Sequence, residues 1–231
     1  MKRVFVTSLT PTKDIDLTGQ EHQHLSKVLR TTVGENVVVF CGDAFDYEYT
    51  IDRMTKTSTH LKFVQKTLNI ANPTRHIAVF LALIKPDKMT AAITALNELG
   101  VAELVLFNAD RCNVAPKSVN LDRMNEIARQ SCKQCRRSIP MTVRITTDEP
   151  AVALRGFDAV YFADETCEPI PPLVSGELSR IAVVIGPEGG FTPNERAKLA
   201  AVATPVSLGT RILRAETAAV AMAILAGGLA Q

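Results

Sequence analysis

Two hydrophobic periods divide this chain. In the first seventy residues the apolar positions come in short runs, 37–40, 45–51 and 61–64, separated by turn residues such as Gly42 and Asp43. Such runs predict strands. One stretch breaks the pattern: in residues 20–29, His24, Leu25, Val28 and Leu29 recur at helical spacing. Residues 69–74, with Pro73, read as a linker.

From His76 onward strands and helices alternate. Residues 77–84 are continuously apolar, as strands buried on both faces of a parallel sheet tend to be. A helix is predicted over 86–99, closed by Gly100 at a C-terminal cap. Residues 104–107 predict a strand and 121–137 a long helix. Further strands are expected at 143–145, 159–162, 181–185 and 206–208, and a closing alanine-rich helix over 214–229. This alternation implies a layered α/β sheet.

The segment from Val183 to Glu195 carries the most chemistry. An apolar run stops at Gly186-Pro187-Glu188-Gly189-Gly190, and a helix start follows. Thr192 and Glu195 have the spacing of a capping box, with Pro193 at the first helical position. Strand, glycine loop and helix N-terminus form a ligand site at the carboxyl end of a strand. The loop lacks both the P-loop and the dinucleotide glycine patterns, so the ligand is neither a triphosphate nor a dinucleotide. Two more loops follow apolar strands, at 84–89 and at 208–217. The second places Arg214, Glu216 and Thr217 at the start of a helix of small residues. In a parallel sheet such loops meet at one crevice.

Composition narrows the classes. A chain of 231 residues has room for one large or two small domains. No run approaches the ~18 apolar residues of a membrane span, and no signal peptide is read at the basic start. Five scattered cysteines fit a reducing cytoplasm better than a disulfide scaffold. Cys132 and Cys135 lie one helical turn apart, without a second pair at zinc spacing, so no metal is expected. Net charge is only +2, but residues 117–144 hold seven basic side chains against two acidic ones, a segment able to follow a phosphate backbone. A solvated helix face explains the same charges.

Residues 24–30 (His-Leu-Ser-Lys-Val-Leu-Arg), Lys88-Met89, 98–101 (Glu-Leu-Gly-Val), 111–114 (Arg-Cys-Asn-Val), Gln134-Cys135, 185–190 and 208–217 together resemble the ribosomal RNA small subunit methyltransferase E family, of the SPOUT class. The resemblance covers essentially the whole chain, and the last two segments are the specific ones. It departs from the family pattern at Arg136, where glycine is usual, at Pro86, and at Thr210, where proline is frequent. It implies an α/β fold: a C-terminal SPOUT-type knotted parallel sheet with flanking helices over 73–231, plus a small N-terminal PUA-like β-barrel for RNA over 1–70. It implies a cytoplasmic homodimer that uses S-adenosylmethionine to methylate uracil N3 in 16S ribosomal RNA of the small subunit, with neither membrane nor DNA as partner.

On that resemblance Leu83, Ile84, Ile185, Gly186, Pro187, Glu188, Gly189, Leu208, Gly209, Ile212 and Leu213 would hold the cofactor. Arg214 would stabilise the developing anion or position RNA. Glu216 would accept the proton or orient Arg214, and Glu188 is a second candidate base or a loop anchor. Arg3, Arg30, Lys85, Lys88, Arg111, Arg136 and Arg137, with Lys2 and Lys133, would contact RNA. Rival readings are a ribose 2′-O-methyltransferase, an RNA-binding assembly factor without activity, and a binder of another adenine ligand.

Overall fold

A computed structural model of the chain describes residues 1–7, 12–167 and 179–227. It divides into two compact units: Met1–Asn72 with Cys132–Pro140, and Pro73–Ser131 with Met141–Gln231.

The first unit holds β1 (Lys2–Phe5), β2 (Ile15–Thr18), β3 (Asn36–Phe40), β4 (Phe45–Met54) and β5 (Ser58–Leu68). They form one sheet in the order β1-β3-β4-β5-β2, with β1 and β3 parallel and the other neighbours antiparallel. The predicted helix is present as α1 (Gly19–Gln23), running into a π-helical turn over His24–Val28. Its Leu25 joins Val4, Val37, Val39, Tyr49 and Leu61 in the core. The ring of the buried His22 is held by Thr59 Oγ1 at 2.8 Å and the Lys56 carbonyl at 3.2 Å, a packing role.

Residues 132–140 are fastened to this unit by side chains far away in sequence. Asn72 Oδ1 accepts from the Ser138 and Ile139 amides at 3.1 and 3.0 Å. Asn69 Nδ2 donates to the Arg136 carbonyl at 2.8 Å. Lys133 Nζ donates to Glu21 at 2.7 Å. Arg136 follows the last helical residue with φ of +69°, the left-handed position that glycine occupies at no steric cost. Arg136→Gly is expected to stabilise the protein by about 0.5–1 kcal/mol, the left-handed penalty of about 1–2 kcal/mol less glycine's extra chain entropy. A rise of about 2 °C in thermal unfolding would register it.

The second unit is built on six parallel strands: β6 (His76–Ala82), β7 (Glu103–Phe107), β8 (Thr142–Thr146), β9 (Ala159–Ala163), β10 (Arg180–Ile185) and β11 (Thr204–Val206). Their order is β11-β9-β10-β6-β7-β8. The apolar run of β6 is continuous because both faces are covered. Ile77, Val79 and Leu81 enter one core cluster, Ala78 and Phe80 the other. On the first face pack α2 (Pro86–Glu98), α3 (Leu121–Cys135) and α6 (Ala215–Leu225), through Met89, Ile93, Ala128, Ala219 and Met222. On the second face pack α4 (Pro150–Ala153) and α5 (Pro193–Ala200), through Leu154 and Leu199.

This placement follows from crossover handedness. From β6 the chain moves through α2 to β7, on one side of it in the sheet. From β10 it moves through α5 past β9 to β11, in the opposite direction. Right-handed crossovers then put α2 and α5 on opposite faces. β6 and β10 are hydrogen-bonded neighbours over Ile77–Ile181 to Leu81–Ile185, so the order reverses between them. A crevice opens beyond the carboxyl ends of strands at such a reversal. The edge strand β8 is held by Asn125, whose side chain bonds both the amide and the carbonyl of Val143 at 2.9 Å. The strand expected at 206–208 lies earlier, and the closing helix ends at Leu225, with 228–229 outside the described residues.

Candidate active site

Four loops leave the carboxyl ends of β6, β7, β10 and β11. After β6, Leu83 and Ile84 remain buried, and the Leu83 amide donates to the Phe107 carbonyl at 3.0 Å. Lys85 is exposed at the N-cap of α2, with Pro86 at the first helical position. After β7, Cys112 Sγ accepts from the Ala109 amide at 3.3 Å. Burial pushes its thiol pKa up, a backbone hydrogen bond from Leu83 opposes that, and the Glu188 and Glu195 carboxylates add to the rise.

After β10, Gly186 and Pro187 are buried. The Phe191 ring lies 3.2 Å from where a Gly186 Cβ would project. A Cβ on Gly189 would stand 3.0 Å from Arg111 Cβ, closer than two carbon atoms pack (about 3.5–4.0 Å). Arg111 Nη1 donates to the Gly189 carbonyl at 2.9 Å. The expected capping box is present: Thr192 Oγ1 accepts from the Glu195 amide at 3.3 Å, and Glu195 Oε2 accepts from the Thr192 amide at 2.8 Å. Glu195 Oε1 also takes the Asp110 amide at 2.8 Å. Thr192 thus fixes both α5 and the loop after β7. Thr192→Ala is expected to cost about 1 kcal/mol in denaturant unfolding, the usual worth of an N-cap.

After β11, Gly209 has φ of +100° and its amide donates to Ser207 Oγ at 3.3 Å. Leu208 and Leu213 are half-buried, while Ile212 is 89% exposed. The loop encloses a cavity of about 80 Å³ together with Ala218 of α6. Arg214 is the exposed N-cap residue of α6, and its side chain forms no ion pair among the described residues. Glu216, in the first turn of α6, lies 3.7 Å from Lys88 Nζ of α2. The roles expected for Glu216, accepting a proton or orienting Arg214, remain expectations; among the described residues its ion pair is with Lys88. Glu188 is exposed at the tip of the glycine loop.

The other expected RNA contacts divide by burial. In the second unit Lys85 and Arg111 are exposed and Lys88 is half-buried. In the first unit Arg30 and Arg136 are exposed, Lys2 pairs with Glu35 at 2.8 Å, and Arg3 and Arg137 are interior, 6% and 2% exposed. Arg3 grips Asp46 through two bonds of 2.7 Å and the Arg137 carbonyl through one of 3.2 Å. Both arginines are packing residues of the first unit here, not surface cations.

Two features went unread in the sequence. Asp164 and Glu165, after β9, form a wall of the 80 Å³ cavity; the signal was an apolar strand ending in polar residues at the same sheet edge. A larger cleft, of about 300 Å³, lies on the α5 face between Phe107, Ile145, Asp148, Phe191 and Glu195. It contains none of the residues expected to hold the cofactor, and its lining has four carboxylates against Lys198, a poor surface for nucleic acid.

A family model described as RNA methyltransferase domain matches residues 71–226, which spans every loop above. Ribosomal RNA small subunit methyltransferase E of Helicobacter pylori strain J99 is 32% identical over 158 residues, 67% of each chain. This chain belongs to the ribosomal RNA small subunit methyltransferase E family. The family member of Rickettsia conorii is 27% identical over 94% of this chain and 91% of its own. The fold agrees with the crystal structure of the family member from Neisseria gonorrhoeae bound to S-adenosyl methionine, at TM-score 0.88 and 24% identity over 99% and 98% of the two chains. The segments that carried the resemblance, 185–190 and 208–217, fall at the carboxyl edge of the parallel sheet.

Proposed function

We propose that this chain is an S-adenosylmethionine-dependent methyltransferase acting on uracil N3 of 16S ribosomal RNA in the small subunit. The observation that carries the reading is that the loops after β6 and β10 leave a parallel sheet at its order reversal, while Lys88 and Glu216, 3.7 Å apart, tie the start of α2 to the start of α6, which follows the loop after β11. Relatives named for small-subunit ribosomal RNA, and a neighbour crystallised with S-adenosyl methionine, support the substrate and the cofactor. The residues fit that cofactor. Gly209 takes a backbone conformation that side chains resist, and nothing lies within 4 Å of where its Cβ would project, so main chain lies open to a ligand at that turn. Leu83, Ile84, Ile185, Gly186, Pro187, Gly189, Leu208, Gly209, Ile212 and Leu213 would hold it, the apolar side chains covering the faces of adenine. When bound, the cofactor supplies an electrophilic methyl group on a sulfonium.

The chain's own groups do the rest. Uracil N3–H is protonated at neutral pH, so a base must take that proton, and a base inside a helix must first be unpaired or flipped. Glu188 accepts it in this reading, supported by its being exposed and outside any ion pair among the described residues. Glu216 is engaged by Lys88 and shapes the start of α6. Arg214, unencumbered at that helix start, stabilises the charge that develops on the uracil oxygens. Positioning supplies much of the rate, since in-line transfer needs reacting atoms about 3–3.5 Å apart. Arg30, Lys85, Arg111 and Arg136 follow the RNA backbone, which makes binding salt-dependent.

Further proposals follow from the family: the first unit as a PUA-like RNA-binding barrel, a trefoil knot in the second unit, a cytoplasmic setting, and a homodimer. The wholly apolar outer turns of α6, with Ile224 41% exposed, support an interface there. No helix among the described residues is long and apolar enough to cross a membrane. Deleting the gene and mapping the 16S ribosomal RNA tests the function. One N3-methyluridine should vanish and return when purified protein is added back; loss of a ribose methyl group instead would replace base methylation with 2′-O-methylation.

A further inference from the structure

The loop after β9 contributes to the same pocket, and this inference rests on reading that pocket as the S-adenosylmethionine site. Glu165 lines the small cavity with Gly209, Ile212 and Leu213. Its Oε1 also lies 3.6 Å from the point where a Cβ on Gly190 would project. The side chain therefore stands between the glycine loop and the 207–213 loop, the two turns that the sequence marked for the ligand. Its neighbour Asp164 is 5% exposed, and one of its oxygens is fully engaged. Asp164 Oδ1 accepts from the amide and hydroxyl of Thr166 at 2.9 and 2.7 Å, and Oδ2 lies 3.4 Å from Arg196 Nε. Glu165 receives only a long contact of 3.4 Å from Arg196 Nη2, and its side chain is 55% exposed. Most of its acceptor capacity is open, since a carboxylate offers about four lone-pair sites.

We infer that Glu165 accepts hydrogen bonds from the ribose hydroxyls of the adenosyl group. Leu208, Ile212 and Leu213 offer apolar surface that suits a purine face, and Glu165 is the acceptor with open capacity beside them. A vicinal diol attached to that purine presents two O–H donors, and an acidic side chain reading ribose hydroxyls is the solution that dinucleotide-binding sheets also reach. RNA phosphate is repelled by the same carboxylate, so the group selects nucleoside over backbone. Arg196 is a positioning residue: from α5 it spans Thr166 Oγ1 at 2.8 Å, Glu165 and Asp164, and so holds the loop after β9 against the glycine loop.

Calorimetric titration with S-adenosylhomocysteine, its 2′-deoxy and 3′-deoxy forms, and a form lacking the α-amino group tests this. Glu165→Ala should weaken S-adenosylhomocysteine binding by about 10- to 100-fold, the range for a hydrogen bond to a charged group. At least one deoxy form should bind the native protein several-fold more weakly, yet bind the Glu165→Ala variant as well as the parent compound does. Arg196→Met should lose part of the same increment. If Glu165→Ala binds S-adenosylhomocysteine like the native protein, the inference fails and the cofactor reading stands. If the loss is instead shared with the amino-deficient form, Glu165 reads the ammonium group and the ribose assignment falls. If the native protein binds none of these compounds, the cofactor reading itself falls, and the inference with it.

Discussion

Arg214→Ala is expected to lower turnover by about 100- to 1000-fold, the loss typical when one donor to a developing oxyanion is removed. Affinity for S-adenosylhomocysteine should change by less than about threefold, the size of a 0.6 kcal/mol effect. The split follows from position. Arg214 precedes α6, is exposed, makes no capping hydrogen bond, and lies outside the lining of the small cavity. Its removal deletes no core contact, so folding should be retained. Arg214→Lys should recover only part of the rate, because a point charge replaces a planar fork that can reach two acceptors. Single-turnover measurement on small subunits lacking the modification reads the chemical step directly. A variant that turns over normally would remove Arg214 from the mechanism.

The second large effect is expected at Gly209. Its φ of +100° lies beyond even the left-handed helical region, and a Cβ built there meets nothing within 4 Å. Gly209→Ala therefore adds backbone strain with no steric clash. Residues held in such regions cost on the order of 1–3 kcal/mol. The 207–213 loop is largely exposed, so it should relax to a new shape instead of unfolding the sheet. Cofactor affinity should fall by about 10- to 100-fold, since 1.4 kcal/mol is a factor of ten. Thermal unfolding in the absence of ligand should move little. Native affinity in Gly209→Ala would mean that this turn does not shape the pocket.

These effects could be anticipated because loops punctuated by glycine at strand ends are visible in a sequence. The β6 and β10 runs, the capping box at Thr192 and the loop at 186–190 are local patterns, and each reappears in the structure. Long-range pairings leave no such pattern. The four-residue strands β1 and β2 are too short to show a period. Arg3 reads as a surface cation until Asp46, 43 positions away, takes both of its terminal nitrogens. The helix expected to run to 137 ends at Cys135, because Arg136 turns left-handed and an arginine carries none of the stop signal of glycine. Lys88 and Glu216 lie on helices far apart in sequence, so their pairing depends on α2 and α6 sharing one face. Asp164 and Glu165 escaped notice for a similar reason: only the strand order places β9 between β10 and β11, and so brings its loop to the site.

A crystal structure of the protein with S-adenosylmethionine decides whether the turns after β6, β10 and β11 form one pocket for that compound. Density is expected in contact with residues 83–84, 185–189 and 208–213, with the methyl group open toward Arg214. Density in the 300 Å³ cleft beside Phe107, Asp148 and Glu195, with those turns empty, would contradict that expectation.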